Sequence, residues 1–162
     1  MQPGKCFFAR RGIEFCGFWV DEEGVRTEKG KVDAVRDWPV PTSAKHIKEF
    51  LGLTGLYRKF IDHYAPIAMP LYVASNATKS DVSWTSECDH AFQTLKKTVT
   101  QAPVLGIPDK AGRWRLRTDA SKFAMGAVLM QQDEEGMDEV IAYFSRKLKD
   151  VETRYHTYDR EL

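Results

Sequence analysis

The stretch at residues 113–131, RWRLRTDASKFAMGAVLMQ, decides the fold of this chain. Apolar residues alternate with arginines along its first half, and a period of two is typical of a β-strand. The small residues that follow Asp119 end this strand, and a second apolar strand begins at Ala124. A third strand is predicted at residues 140–144, after a polar turn around Gly136. Together these strands predict a three-stranded antiparallel sheet in the second half of the chain.

The residues before Pro108 follow a helical period instead. Two short strands around a turn are predicted at residues 12–25, and a short helix at residues 29–38 stops before a proline. A longer helix begins after a cap at Thr42 or Ser43, and a third helix begins after a cap at Thr85 or Ser86. The polar residues 75–82 are the best linker candidate. We therefore predict an α+β fold in two parts, residues 1–75 and residues 76–162.

The composition is that of a globular protein, with 43% hydrophobic residues, 12% aromatic residues and a formal net charge of +1. So small a net charge neither indicates nor excludes nucleic-acid binding, because local stripes of charge matter more than sums. The three cysteines are odd in number and widely spaced, which argues against a disulfide framework and against a Cys-type zinc site. No apolar run approaches about 18 residues, so we expect no membrane span.

Two carboxylates can meet in this arrangement. Asp119 ends the first strand of the sheet, and Glu161 lies on a final helix whose apolar face carries Tyr155, Tyr158 and Leu162. A strand-end Asp that faces a helical Glu supplies the oxygen ligands that Mg²⁺ prefers. Two such ions can hold the attacking and leaving oxygens of a phosphodiester. On the pattern alone, a turn aspartate and a solvent-facing glutamate are the favoured explanation.

Several blocks of sequence stand in a fixed order along the chain. They are FCGF at residues 15–18, WPVP at 38–41, FLGLTGLYRKFI at 50–61, the segment at 84–105, TDAS at 118–121, GAVL at 126–129, AYFSRKL at 142–148 and REL at 160–162. Together they resemble the Pol polyprotein of gypsy-type LTR retrotransposons, at the junction of reverse transcriptase and ribonuclease H. The blocks run over nearly the whole chain, so a chance resemblance is improbable.

The resemblance implies both a fold and an activity. Residues 1–75 would be the end of the polymerase palm, with its primer-grip hairpin, and a small helical thumb. Residues 76–162 would be the N-terminal part of a ribonuclease H-like domain, in which Asp119 and Glu161 are catalytic carboxylates that bind Mg²⁺ or Mn²⁺. The parent enzyme would copy RNA into DNA and hydrolyse the RNA of the hybrid. The implied partners are an RNA–DNA hybrid or DNA duplex and the remainder of the Pol polyprotein. The implied location is intracellular, in cytoplasmic element particles, with the nucleus as a second location.

The same resemblance implies a nucleic-acid surface with two components, a primer-grip turn and a minor-groove track on the thumb helix. The implied residues are Phe15, Cys16, Gly17, Lys48, Gly52, Leu56, Arg58 and Lys59. A glycine lets a helix backbone approach a duplex closely, and the basic side chains can contact phosphates. Tight helix–helix packing explains Gly52 equally well. A solvated helix face is the slightly favoured explanation for Arg58 and Lys59.

The chain also departs from the pattern of the family. Cys16 stands where a leucine is usual, and no Tyr-x-Asp-Asp polymerase motif is present. A complete hydrolase site usually needs a third carboxylate, so we expect that this chain alone does not hydrolyse RNA efficiently. One alternative is a domesticated or truncated, non-catalytic module that binds nucleic acid or another protein. A second alternative is an unrelated α+β regulatory domain.

Overall fold

A computed structural model describes residues 7–76, 83–109, 112–133 and 135–155. The α-helices and β-strands of this part are, in order, β1 (Gly12–Phe15), β2 (Phe18–Asp21), β3 (Gly24–Thr27), α1 (Lys29–Arg36), α2 (Ala44–Leu56), α3 (Tyr64–Ser75), α4 (Ser86–Thr100), β4 (Trp114–Ala120), β5 (Ala124–Gln132) and β6 (Asp138–Lys147), and short 3-10 helices lie at Arg58–Phe60 and Glu152–Arg154. They form two antiparallel sheets, β1-β2-β3 and β4-β5-β6, separated in sequence by the helices. The predicted α+β class and the second three-stranded sheet are confirmed.

The helices begin at polar residues that cap their first turns. The Ser43 hydroxyl accepts a hydrogen bond from the His46 amide at 3.2 Å, and the Thr85 hydroxyl accepts one from the Cys88 amide at 3.3 Å. The caps are therefore Ser43 rather than Thr42 and Thr85 rather than Ser86. Each hydroxyl satisfies an amide that has no partner inside its helix. Helix α1 is capped by Glu28, whose carboxylate accepts from the amides of residues 30 and 31.

The N-terminal sheet has three strands, so the prediction of two strands around one turn was wrong. The strand pattern lacked the turn at Cys16-Gly17, which only the family resemblance implied and which joins β1 to β2 through the paired residues Phe15 and Phe18. Both turn residues have positive φ, 52° at Cys16 and 84° at Gly17. Two-residue hairpin turns favour this mirror-image conformation, but a cysteine rarely adopts it. Residue propensities alone therefore do not indicate a turn at Cys16.

Helix α4 packs its apolar face on the preceding helices. The Phe92 ring of α4 lies 4.6 Å from the Phe50 ring of α2, measured between centroids, and both side chains are fully buried. Truncating such a phenylalanine to alanine typically costs about 3–5 kcal/mol, so this contact outweighs any single helix cap. The main core therefore contains residues from both sides of the boundary predicted after residue 75, and that boundary stays a prediction.

The segment after α4 joins the two sheets. The Val25 amide of β3 donates to the Leu105 carbonyl at 2.7 Å, and the Leu105 amide donates back to Val25 at 2.8 Å. The next amide, of Gly106, donates to the Val140 carbonyl of β6 at 2.8 Å. Glycine is required at position 24, where φ is 137°, because a Cβ there would collide with the Leu105 carbonyl oxygen. The two consecutive residues Leu105 and Gly106 thus connect β3 to β6 through backbone hydrogen bonds.

Strand β6 also caps helix α3. The α3 amide of Ala65 donates to the Ser145 hydroxyl of β6 at 3.1 Å, whereas His63 at the N-cap position makes no side-chain cap bond. A helix amide without a partner is costly when shielded from water, so the second sheet stabilises the helical region directly. No helix among the described residues is long and apolar enough to cross a membrane.

A buried tyrosine holds the β1–β2 turn on the end of α2. The Tyr57 hydroxyl donates to the Gly17 carbonyl at 2.9 Å, and the side chain is fully buried. Its ring also meets the Phe18 ring edge-on, with centroids 5.8 Å apart. Burial raises the pKa of Tyr57 to about 12, so the hydroxyl stays protonated and remains a donor at physiological pH.

We predict that Tyr57→Phe lowers the free energy of unfolding by about 1–2 kcal/mol, because the Gly17 carbonyl loses its buried donor while the ring still fills its site. Urea denaturation followed by tryptophan fluorescence measures the change. The matched control is Tyr155→Phe, which removes a hydroxyl from a half-exposed ring. Equal unfolding midpoints for wild type and Tyr57→Phe would contradict the role of this hydrogen bond.

Candidate nucleic-acid interface and candidate carboxylate

The Cys16-Gly17 turn lies against the C-terminal end of α2. A Cβ built on Gly17 would be 3.1 Å from the Leu56 side chain, and Gly17 also takes a positive φ, so a glycine fits here for two reasons. Phe15, just before the turn, is 65% exposed. The structure therefore brings the predicted turn residues and the predicted helix residue Leu56 together.

One face of α2 is open to solvent along the predicted track. Lys48, Gly52 and Leu56 are exposed, whereas Phe50 and Thr54 on the opposite face are fully buried. A Cβ at Gly52 would meet no other described atom within 4 Å. The explanation of Gly52 as a helix-packing residue is therefore wrong for the described part of the chain. Gly52 leaves a shallow gap in a row of longer side chains.

The two basic residues after α2 have different environments. Arg58 is exposed, but the Lys59 ammonium lies 4.0 Å from the centroid of the Phe18 ring. Partial burial lowers the pKa of Lys59, although the aromatic face still favours its cation. Arg58 is thus the freer of the two to contact a phosphate. The binding roles assigned to both residues stay predictions.

The structure adds a lysine that sequence reasoning missed. The Lys31 ammonium of α1 reaches the same turn, where it would lie 2.5 Å from a Cβ built on Gly17. Within the described residues, Lys31, Lys48 and Arg58 form no salt bridge. Nothing in the local sequence marks Lys31, because its position depends on how α1 packs beside the turn. The candidate surface therefore carries three cations that lack a carboxylate partner in this part of the chain.

Asp119 lies at the exposed end of β4, as predicted, and pairs with Gly126 of β5. It lines a cleft of about 270 Å³ together with Asp62 and His63, which come from the turn before α3. The His63 ring is held beside Gly126, where a Cβ would approach its Nδ1 to 3.3 Å. The carboxylate is thus accessible, and its neighbours include one further carboxylate and one imidazole.

The other predicted carboxylate, Glu161, lies outside the described residues. Among the residues that are described, no three His, Cys, Asp or Glu side chains converge to hold a metal ion. A divalent cation is usually held by more than one protein ligand together with its waters. The described residues therefore do not form a metal site by themselves, and the pairing of Asp119 with Glu161 stays a prediction.

The chain is similar in sequence to known proteins. Residues 84–162 match the model of the RNase H-like domain found in reverse transcriptase. The chain is 36% identical over 98% of its length to the Retrovirus-related Pol polyprotein from transposon opus of Drosophila melanogaster, and 39% identical over 100% to that from transposon 297. It is also 31% identical over 100% of its length to the Transposon Tf2-3 polyprotein of Schizosaccharomyces pombe. It spans 17%, 15% and 12% of those three relatives.

Solved structures share the fold. A foamy viral protease-reverse transcriptase in complex with an RNA/DNA hybrid has a TM-score of 0.79 at 22% identity, over 94% of this chain and 20% of that one. A related structure in complex with double-stranded DNA has a TM-score of 0.78 at 23% identity, over 94% of this chain and 27% of that one. At this identity the likeness shows the fold alone. Residues 84–162 thus match the RNase H-like domain found in reverse transcriptase, and the chain is similar over at least 98% of its length to a segment of transposon Pol polyproteins.

Proposed function

We propose that this chain binds the backbone of an RNA–DNA hybrid or DNA duplex, as part of a gypsy-type reverse transcriptase and ribonuclease H. The contact surface consists of the Cys16-Gly17 turn and the exposed face of α2. One observation carries the proposal. Gly52 is open to solvent in the exposed row between Lys48 and Leu56, and this row ends where the turn packs on the helix.

Physical chemistry favours nucleic acid over a protein partner at this surface. A helix that carries glycine on its exposed face can bring its backbone close to a minor groove, where a side chain would hold it away. Lys31, Lys48 and Arg58 supply cations that form no salt bridge with described residues. Such cations bind phosphates at any sequence and make the affinity depend on salt.

The relatives support the same proposal. They are named as Pol polyproteins of transposons, and the similar solved structures hold double-stranded DNA or an RNA/DNA hybrid. We extend this association to the present chain as a proposal, together with its gypsy-type origin and its intracellular location. The two-part division at residue 76 is also proposed, with a thumb-like first part and a ribonuclease H-like second part.

We predict that Gly52→Leu weakens binding to an RNA–DNA hybrid by at least about tenfold, equivalent to about 1.4 kcal/mol. The added side chain has room in the free protein but would keep the helix away from the duplex. Leucine is also the better helix former by about 0.5–1 kcal/mol, so the variant should be no less stable than wild type. Fluorescence anisotropy and thermal unfolding measure the two effects.

The matched control is Gln93→Leu, which adds a leucine at an exposed position of α4. It should leave the hybrid affinity unchanged. If Gly52→Leu folds and binds as wild type does, the duplex does not approach α2 at this residue.

We further propose that Asp119 and Glu161 together hold Mg²⁺ or Mn²⁺. The support is the exposed position of Asp119 at the end of β4 in an RNase H-like domain. A bound ion would supply an activated water or stabilise the leaving oxygen of a phosphodiester. Asp119 would contribute one carboxylate oxygen and orient the ion at the edge of the sheet.

We predict that Asp119→Asn reduces Mn²⁺ affinity, because an amide oxygen carries no negative charge. Electron paramagnetic resonance titration of free Mn²⁺ measures this change without relying on activity. The control is Asp89→Asn on the solvent face of α4. Identical Mn²⁺ titrations for wild type and Asp119→Asn would remove Asp119 from the proposed site. In the same samples we expect no efficient hybrid cleavage, because two carboxylates are too few to hold two ions.

A further inference from the structure

A basic groove runs between helix α3 and strand β6. It has a volume of about 350 Å³, with Tyr72 and Asn76 at the α3 side and residues 145–147 at the β6 side. Arg58 lies at the groove as well, so this surface adjoins the exposed face of α2. We call it the α3–β6 groove. No residue of this groove other than Arg58 belongs to the surface proposed above.

The described lining of the groove is positively charged, and two of its cations have no salt-bridge partner among the described residues. Among the described residues, its lining contains the cations Arg58, Arg146 and Lys147 and no carboxylate. The Arg146 guanidinium is already paired, because it donates to the two Glu152 oxygens at 2.7 and 3.0 Å. This pairing holds the pKa of Glu152 near 2, so the pair persists at neutral pH. Arg58 and Lys147 form no salt bridge with any residue in the described part of the chain.

The walls of the groove are held by buried and cross-element hydrogen bonds. The Ser145 hydroxyl accepts from the Ala65 amide at 3.1 Å and thereby ties β6 to the first turn of α3. The buried Tyr64 hydroxyl lies 3.1 Å from the Thr54 hydroxyl of α2. A groove whose walls are already fixed loses little conformational entropy when a ligand binds. The backbone of β6 next to Lys147 is therefore fixed against α3 before any partner binds.

We propose that the α3–β6 groove binds the phosphate backbone of the same nucleic acid that contacts α2, with Lys147 and Arg58 as its phosphate ligands. The inference rests on the proposed function, because it extends that surface onto the second sheet. Guanidinium and ammonium groups match phosphate oxygens, and phosphate contacts fix the register of a duplex without reading its sequence. Arg58 is shared by both surfaces, so one continuous backbone can reach from the thumb-like part to β6. This continuity favours nucleic acid over an acidic polypeptide.

The test compares Lys147→Gln with wild type, using the full chain and an RNA–DNA hybrid at several salt concentrations. We expect the variant to bind several-fold more weakly at low salt. The slope of log K against log salt should fall in magnitude by about 0.9, the value for one lost phosphate contact. Lys97→Gln removes another exposed lysine, from α4, and should leave the slope unchanged. Thermal unfolding of each variant verifies the fold.

The outcomes distinguish a failure of the groove proposal from a failure of the proposed function. If Lys48→Gln lowers the slope and Lys147→Gln does not, the α2 surface stands and the groove proposal is overturned. Wild-type chain that shows no salt-sensitive hybrid binding would overturn both. A poly-glutamate peptide serves as a second probe. If Lys147→Gln weakens peptide binding but not hybrid binding, the groove binds an acidic polypeptide and the proposal is wrong.

Discussion

The hydrogen bond from the Tyr57 hydroxyl to the Gly17 carbonyl is the contact on which the proposed surface depends. Gly17 belongs to a two-residue turn with a strained neighbour, Cys16, and a non-glycine residue in the left-handed region costs about 1–2 kcal/mol. A buried tyrosine that holds the carbonyl of this turn can offset that cost. Because Tyr57 directly follows α2, the same bond fixes the turn at the end of the open helix face. Two distant segments thereby become one surface.

The first half of the chain and the sheet β4-β5-β6 are joined by short backbone and side-chain contacts. Leu105 pairs with β3 while the next residue bonds to β6, and Ser145 of β6 caps α3. Helix α4, which lies within the RNase H-like match, contributes Phe92 to the core of the preceding helices. A nucleic acid bound on α2 would therefore lie in a fixed position relative to β6. This arrangement supports the proposal that a bound backbone continues from α2 into the α3–β6 groove.

The sequence predicted those features that local patterns determine. Ser43 and Thr85 cap their helices because a hydroxyl before an apolar period meets free amides, and Asp119 lies one residue before the end of β4 because small residues follow it. Features that depend on distant packing were missed. The apolar period of α4 indicates a buried face but not its partner, and the position of Lys31 depends on the docking of α1. Lys59 and Arg58 are adjacent basic residues in the sequence, but the Lys59 ammonium packs over the Phe18 ring, which comes from a distant strand.

Photocrosslinking to an RNA–DNA hybrid that contains bromodeoxyuridine tests the central claim most directly, since it reports contact without any substitution in the protein. Mass spectrometry of the crosslinked peptides locates the contact sites. If the Cys16-Gly17 turn and α2 form one surface, crosslinks to a single hybrid will map to both segments, with the exposed ring of Phe15 among them. Crosslinks confined to the solvent face of α4, or absent from both segments, would contradict the account.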